Sequence, residues 1–313
     1  MKKSIDVLTI GDLCADLVLN GKDVVPEFGQ KEKLVENYVL EMGGSTPIFA
    51  CQTAKLGLKT VLIGKVGEDA FGDMIRDTMK KAGVDVRYVK KDPSQKSGLT
   101  VMMNTGKDRA MLTYLGHIDG VTRQDIPDHL LKSTRHFHIG SFYLTRKVRS
   151  YYPAMVEKLK KFGATISLDT NWDPEEKWDS GLWELFPYLD IFMPNENEAL
   201  NISGEKSVDR AGEKLQNYVP IVVIKMGERG AKAFSKGKKY QAEALKVKVI
   251  DAVGAGDSFN GGFVWGFLRG KSIAECLKAG CICGSLNVTS SGGTKAQPYL
   301  KDLNRYLNSN ISD

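Results

Sequence analysis

The chain has 313 residues, of which 42% are hydrophobic, 26% charged and 9% aromatic, the proportions of an ordinary globular protein. Its 44 Lys and Arg against 38 Asp and Glu give a net charge of +6 without a long basic run, which argues against a nucleic-acid partner. Five cysteines (Cys14, Cys51, Cys276, Cys281 and Cys283) without a CxxC pair, and only four histidines, argue against a disulfide framework or a zinc site. No run approaches the roughly 18 apolar residues of a membrane span. Asp6, Asp12 and Asp16 interrupt any apolar signal core after the opening MKK, so a cytoplasmic, reducing setting is expected.

In chain order, Val7–Ile10 reads as a buried strand, and Ala15–Asn20 and Lys33–Leu40 as strands flanking a polar loop. A helix over Pro47–Lys55, a strand at Thr60–Ile63 and a helix over Phe71–Ala82 follow. Gly98–Leu115 predicts a hairpin with Thr105–Asp108 at its tip. Beyond it come a helix over Arg149–Lys161, strands at Thr165–Leu168 and Ile191–Met193, and a helix over Ser207–Asn217. A strand at Ile221–Ile224 and helices over Ser258–Arg269 and Ile273–Thr289 complete the pattern. Near-continuous apolar strands alternating with helices predict a mostly parallel sheet covered on both faces. The four strands without neighbouring helices predict a small antiparallel sheet added as a lid, with one face over a cleft or against a partner chain. The whole chain, 1–313, then reads as one domain with lid strands inserted at about 15–40 and 98–115.

Four glycine clusters interrupt this pattern. The strongest is Asp251-Ala252-Val253-Gly254-Ala255-Gly256-Asp257, which opens an apolar helix. Uncovered amides and the helix dipole make such a start an anion hole, and a carboxylate at Asp257 can accept a proton beside it. Equally, Asp257 could simply cap the helix. The others are Gly43-Gly44-Ser45, Gly64–Gly72 and Lys225–Gly230, the last two after buried strands. Together they point to one crevice at the carboxyl ends of the strands. Two nucleotide motifs fail here: GxGxxG would need glycine where Phe259 stands, and Gly270-Lys271-Ser272 lacks the Walker A glycine, Trp265 standing at its position. Gly270 reads as a helix C-cap.

With these residues in place, the chain resembles the ribokinase-like (PfkB) carbohydrate kinases over essentially its whole length. Asp251–Asp257 resembles that family's C-terminal DTxGAGD signature, Gly43–Gly72 its N-terminal glycine signature, Asn195-Glu196-Asn197-Glu198 its NxxE element, and Lys225–Gly230 its nucleotide loop. The resemblance implies a ribokinase-like three-layer α/β/α sandwich with a β-sheet lid. It also implies transfer of the γ-phosphoryl group of ATP to a hydroxymethyl group of a small neutral sugar or polyol. Asp257 would be the general base, with the Gly254, Ala255 and Gly256 amides as anion hole. Asp12, Asp16, Gly43, Gly44 and Ser45 would bind the sugar. Lys225, Gly227, Gly230 and Asn287 would contact the nucleotide, and Asn195 and Glu198 would help place Mg2+ through its waters. Asp251 and the Ser290–Thr294 loop mark a site for K+. A homodimer pairing through the lid sheet is expected.

The chain departs from that pattern in three places. Ile48 stands where relatives often carry a sugar-binding Asn, and Ala252 where the signature has Thr. Asp169-Thr170-Asn171-Trp172-Asp173 resembles a D-P-N-x-R element with Asp173 in place of arginine, which argues against an acidic substrate unless Lys107 or Arg109 supplies the cation. Trp172 either stacks on a sugar face or packs on Trp178 or Trp183. A nucleoside kinase, or a non-catalytic nucleotide or sugar binder, are the rival readings on the same residues.

Overall fold

The computed structural model describes residues 3–22, 24–105 and 109–308. Nine strands form the large sheet. Its order is β13 (Lys238–Ala242), β12 (Ala231–Ser235), β11 (Ile221–Lys225), β10 (Ile191–Phe192), β9 (Thr165–Leu168), β8 (Thr134–Ile139), β1 (Ile5–Ile10), β4 (Thr60–Val66) and β5 (Val89–Lys91). All neighbours from β11 to β5 are parallel, and only β12 and β13 run antiparallel at one edge. Leu8, Ile10, Phe137, Ile166, Phe192 and Val222 point into a core covered by helices 152–161, 196–203 and 208–215, while Val7, Ile191, Val223 and Ala233 point into a second core under helices 255–268 and 273–287. Burial on both faces explains the unbroken apolar runs and gives the three-layer sandwich.

The second sheet has the order β3 (Asn37–Gly43), β2 (Cys14–Asn20), β6 (Gly98–Asn104) and β7 (Arg109–Tyr114). It was expected to be antiparallel throughout, but β2 pairs with β6 in parallel, joining two antiparallel pairs. Between β3 and β6 the chain builds two helices and two strands of the large sheet, so no hairpin turn sets the direction of β6. The strand expected at Lys33–Leu40 lies at Asn37–Gly43, running straight into the glycine pair. Residues 106–108 of the hairpin tip, Lys107 among them, lie outside the described residues, as does the side chain of Arg109.

Other boundaries move for local reasons. The helix expected over Arg149–Lys161 is two pieces, Arg146–Arg149 and Tyr152–Lys161, with Pro153 seated in the first turn of the second, where its missing N–H costs nothing. Strand β8 reads TRHFHI, and its two histidines hide it from a search for apolar runs. They are buried because His136 pairs with Thr165 and Ser167 at 2.8 Å and His138 pairs with Ser167 at 2.8 Å. Burial pushes both rings down to about 3, so they stay neutral. Among the described residues no helix is long and apolar enough to cross a membrane.

Candidate active site

The helix expected at Ser258–Arg269 runs over Ala255–Leu268, so the signature glycines form its cap and first turn. Gly254 takes φ +72° at the cap, and a Cβ there would press on Gly293 and Ile48, which makes glycine obligatory. The amides of Gly256 and Asp257 belong to the first turn, which has no acceptors within the helix. The Ala255 amide faces the Ala252 carbonyl at 3.4 Å, so the anion hole expected from three amides is weaker at this one.

Helix Ser45–Lys55 begins at Gly44 (φ +91°) and brings Ser45 to the same point: its hydroxyl donates to Asp257 Oδ1. Asp12, just past β1, fixes that helix start. Its Oδ2 accepts from the Ser45 amide (2.9 Å) and the Ser141 hydroxyl, and its Oδ1 from the Thr46 amide (3.0 Å) and hydroxyl. These four bonds fill the carboxylate's acceptor capacity. Asp12 therefore organises the site, in place of its expected part in holding sugar hydroxyls. Asp16, in contrast, accepts only a long contact from the Cys14 thiol (3.5 Å) and lies against Gly43, facing Glu41 and Asp251 around a small cavity beside Ser291–Gly293. Burial, then the neighbouring carboxylates, push Asp16 up to about 6.

A second constellation lies at the ends of β9 and β11. Asp169 Oδ2 accepts from both Lys225 Nζ and Asn260 Nδ2. Asn195 and Glu198 form a capping box: Asn195 N and Nδ2 donate to Glu198 at 2.8 and 2.6 Å, and Glu198 N donates back at 2.9 Å. Burial and the Asp169 charge push Glu198 up to about 7. Among the described residues no cluster of three His, Cys, Asp or Glu could cage a metal. Bonded to each other in this way, Asn195 and Glu198 would reach Mg2+ through its waters, with the ion itself carried mainly by phosphates. Burial lowers the proton affinity of Lys225, but Asp169, Glu198 and Asp257 outweigh it, so it stays an ammonium.

Lys225, Gly227, Gly230, Ala255 and Gly256 line a cavity of about 900 Å³, closed by Val247, Phe259 and Val288. Its apolar walls and its end at an exposed helix start suit a nucleotide. Asn287, expected against the adenine, is instead fully buried and donates to the Val253 carbonyl at 2.8 Å, so it pins the signature loop. Asp251 does likewise, accepting from Val253 N and Gly292 N at 3.0 Å each. Ile48 packs against Gly254 and Gly293 as an apolar brace behind the signature loop.

Asp173 is buried. It accepts from the amides of Glu175, Lys177 and Trp178 at 2.8–3.0 Å and so organises its own loop. Asp173 thus serves its own loop as an acceptor and brings the cleft no positive charge. Trp172 is half exposed and meets Trp178 edge-on at 4.8 Å between ring centroids. Asp169, Asn260 and Glu41 are the residues that sequence reasoning missed as site members. Asn260 stands one helical turn after Asp257, on the same face, and Asp169 directly follows a buried strand; both signals were present.

A family model described as pfkB family carbohydrate kinase matches residues 4–299. The chain belongs to that family. It is similar to an Arabidopsis thaliana protein described as "Probable fructokinase-5", at 27% identity over 285 residues covering 85% of this chain and 88% of the relative. It is also similar to the 2-dehydro-3-deoxygluconokinase of Bacillus subtilis strain 168, at 26% identity covering 97% and 95%. Among solved structures, an E. coli protein described as a ribokinase II, in complex with ATP and Mg2+, superposes with a TM-score of 0.85 at 25% identity, covering 97% and 99%. The protein is thus a carbohydrate kinase, an ATP- and Mg2+-dependent phosphotransferase acting on a sugar.

Proposed function

We propose that the substrate is a small neutral monosaccharide or polyol, phosphorylated on a hydroxymethyl group. The observation that carries this reading is Ser45, which links the glycine pair at the end of the lid to Asp257 at the start of the signature helix. The sugar end of the cleft gathers Asp16, Glu41 and Asp251, three carboxylates that would repel an anionic substrate. Asp16, with acceptor sites to spare, would take hydrogen bonds from two vicinal hydroxyls. Asp257 accepts the proton of the attacking hydroxyl as its oxygen bonds to the γ-phosphorus; the bond to the bridging oxygen breaks and ADP leaves with its electron pair. The amides of Gly254, Gly256 and Asp257 and the Lys225 ammonium face the charge that develops on the transferred group. Bound Mg2+ would neutralise phosphate charge and hold the leaving group in line.

ADP release with ATP and Mg2+, measured against neutral sugars, polyols, sugar acids, sugar phosphates and nucleosides, with and without K+, tests this reading. Turnover with a neutral sugar or polyol is the expected result. A sugar acid or phosphate as the best substrate would overturn the neutral reading. A nucleoside would favour the rival kinase, and a dependence on K+ would support a monovalent cation beside Asp251. The five cysteines, all free and buried, accord with a reducing compartment.

The lid supports a homodimer. Strand register puts Asp16, Val18, Val39 and Glu41 on the face toward the site, and Tyr38, Leu40, Leu112 and Tyr114 on the other. Those four apolar side chains are 40–65% exposed, more than a lone sheet face tolerates. Light scattering at micromolar concentration should give twice the monomer mass of 34.5 kDa, and Leu112→Lys should halve it. A wild-type mass of 34.5 kDa would sink the dimer.

A further inference from the structure

We propose that Asp169 is a positioning residue which, with Asn260, holds the Lys225 ammonium against the start of the signature helix, so that the anion hole carries a full positive charge as well as backbone amides. The proposal rests on the kinase reading above and deepens it. Its basis is geometric. Asp169 stands one residue past β9, only 2% exposed, and its Oδ2 takes the donors of two different elements at once: Lys225 at the end of β11 and Asn260 within the signature helix. Asp169 Oδ1 accepts from the Asn171 amide at 3.3 Å, which fixes the carboxyl plane. Lys225 Nζ lies 3.4 Å from where a Cβ on Gly256 would be, an ordinary contact distance that sets the ammonium beside the first turn of the signature helix. Both Lys225 and Gly256 line the nucleotide-sized cavity.

A buried lysine held by a buried carboxylate is weak evidence of stability, because hydrophobic replacements of such pairs are often neutral. A charge fixed at the place where phosphoryl charge develops is, by contrast, of direct catalytic use. Bringing three elements together at one oxygen also sets the distance between β9 and the helix that carries Asp257. Asp257 is faced by Ser45 from helix 45–55, by Asp12 past β1, by Asp169 past β9 and by Lys225 from β11. Of these, Asp169 raises its proton affinity and Lys225 lowers it.

The test is a double-mutant cycle with Asp169→Asn, Lys225→Met and the pair together, each with melting temperature and ATP affinity measured beside kcat and KM. Either single change should lower kcat about 100-fold, the typical loss for one donor of a preorganised anion hole. The double variant should lose no more than about a further threefold, since both changes remove one device. In the pH profile of kcat/KM the acid limb should move to lower pH in Asp169→Asn and to higher pH in Lys225→Met, a pair of opposite shifts that a packing defect would not produce. Should Lys225→Met fail to fold with Asp169 left unpaired, the double variant removes both charges together and keeps the kcat comparison open. Losses that multiply to about 10⁴-fold, or a folded double variant within a fewfold of wild type, would overturn the proposal. If the unmutated protein binds no ATP and phosphorylates nothing, the kinase reading itself has failed.

Discussion

Asp257→Asn is expected to lower sugar phosphorylation by a factor of about 10²–10⁴, the usual contribution of a general base, while ATP still binds. The separation follows from the architecture. Asp257 meets Ser45 on the sugar side and is not itself among the residues lining the nucleotide cavity, most of whose wall comes from Lys225–Gly230, residues 244–249 and helix 273–287, with Ala255, Gly256 and Phe259 at its signature-helix end. Calorimetry with ATP and a coupled ADP assay check both halves; normal turnover in the variant would remove Asp257 as the base. The same residue sets a pH dependence. Desolvation in the cleft, then the Asp169 charge, push Asp257 up to about 8, against the pull of Ser45 and Lys225. A base works only when ionised, so kcat/KM should climb about tenfold per pH unit below that value and level off above it. An acid limb near the ordinary carboxylate value, about pH 4, would contradict the environment described for this residue.

Asp16→Ala is expected to raise KM for the sugar roughly 100-fold and to change KM for ATP little. Two hydroxyl hydrogen bonds to an ionised acceptor are together worth about 3 kcal/mol or more, and each 1.4 kcal/mol is tenfold. Gly43→Ala should reproduce much of this effect, because a Cβ at position 43 would overlap the Asp16 carboxylate and displace it. The pair of variants separates position from charge: if Gly43→Ala left the sugar KM unchanged, close packing of the two residues would not be what aims Asp16. Equal effects on the two KM values in Asp16→Ala would place this carboxylate outside the sugar site.

How much of this was legible in the sequence differs from element to element. Strands buried on both faces, such as Thr165–Leu168, carry their own unbroken apolar signature, and local pattern was enough to find them. Strand β8 was not found, because His136 and His138 break the pattern and are tolerated only through hydroxyls that β9 supplies. The glycine clusters pointed to the crevice since a left-handed cap, as at Gly254, is a backbone demand written into one residue type. Asn287 and Asp173 went the other way. Each is a polar residue in a suggestive place, and only the folded chain reveals that its hydrogen bonds are spent on a neighbouring loop.

By itself, the sequence determined the α/β sandwich with a separate lid, the family, and the glycine-rich helix start that borders the crevice. These depend on hydrophobic period, on glycine and on short motifs, all of which are local. The tertiary structure decided the division of labour among the acids. Asp12 is saturated by Ser45, Thr46 and Ser141, Asp16 is left with acceptor sites, and Asp169 gathers Lys225 and Asn260. A carboxylate's role depends on which donors reach it and how much water it loses, and both are set by residues 30 to 130 positions away in the chain.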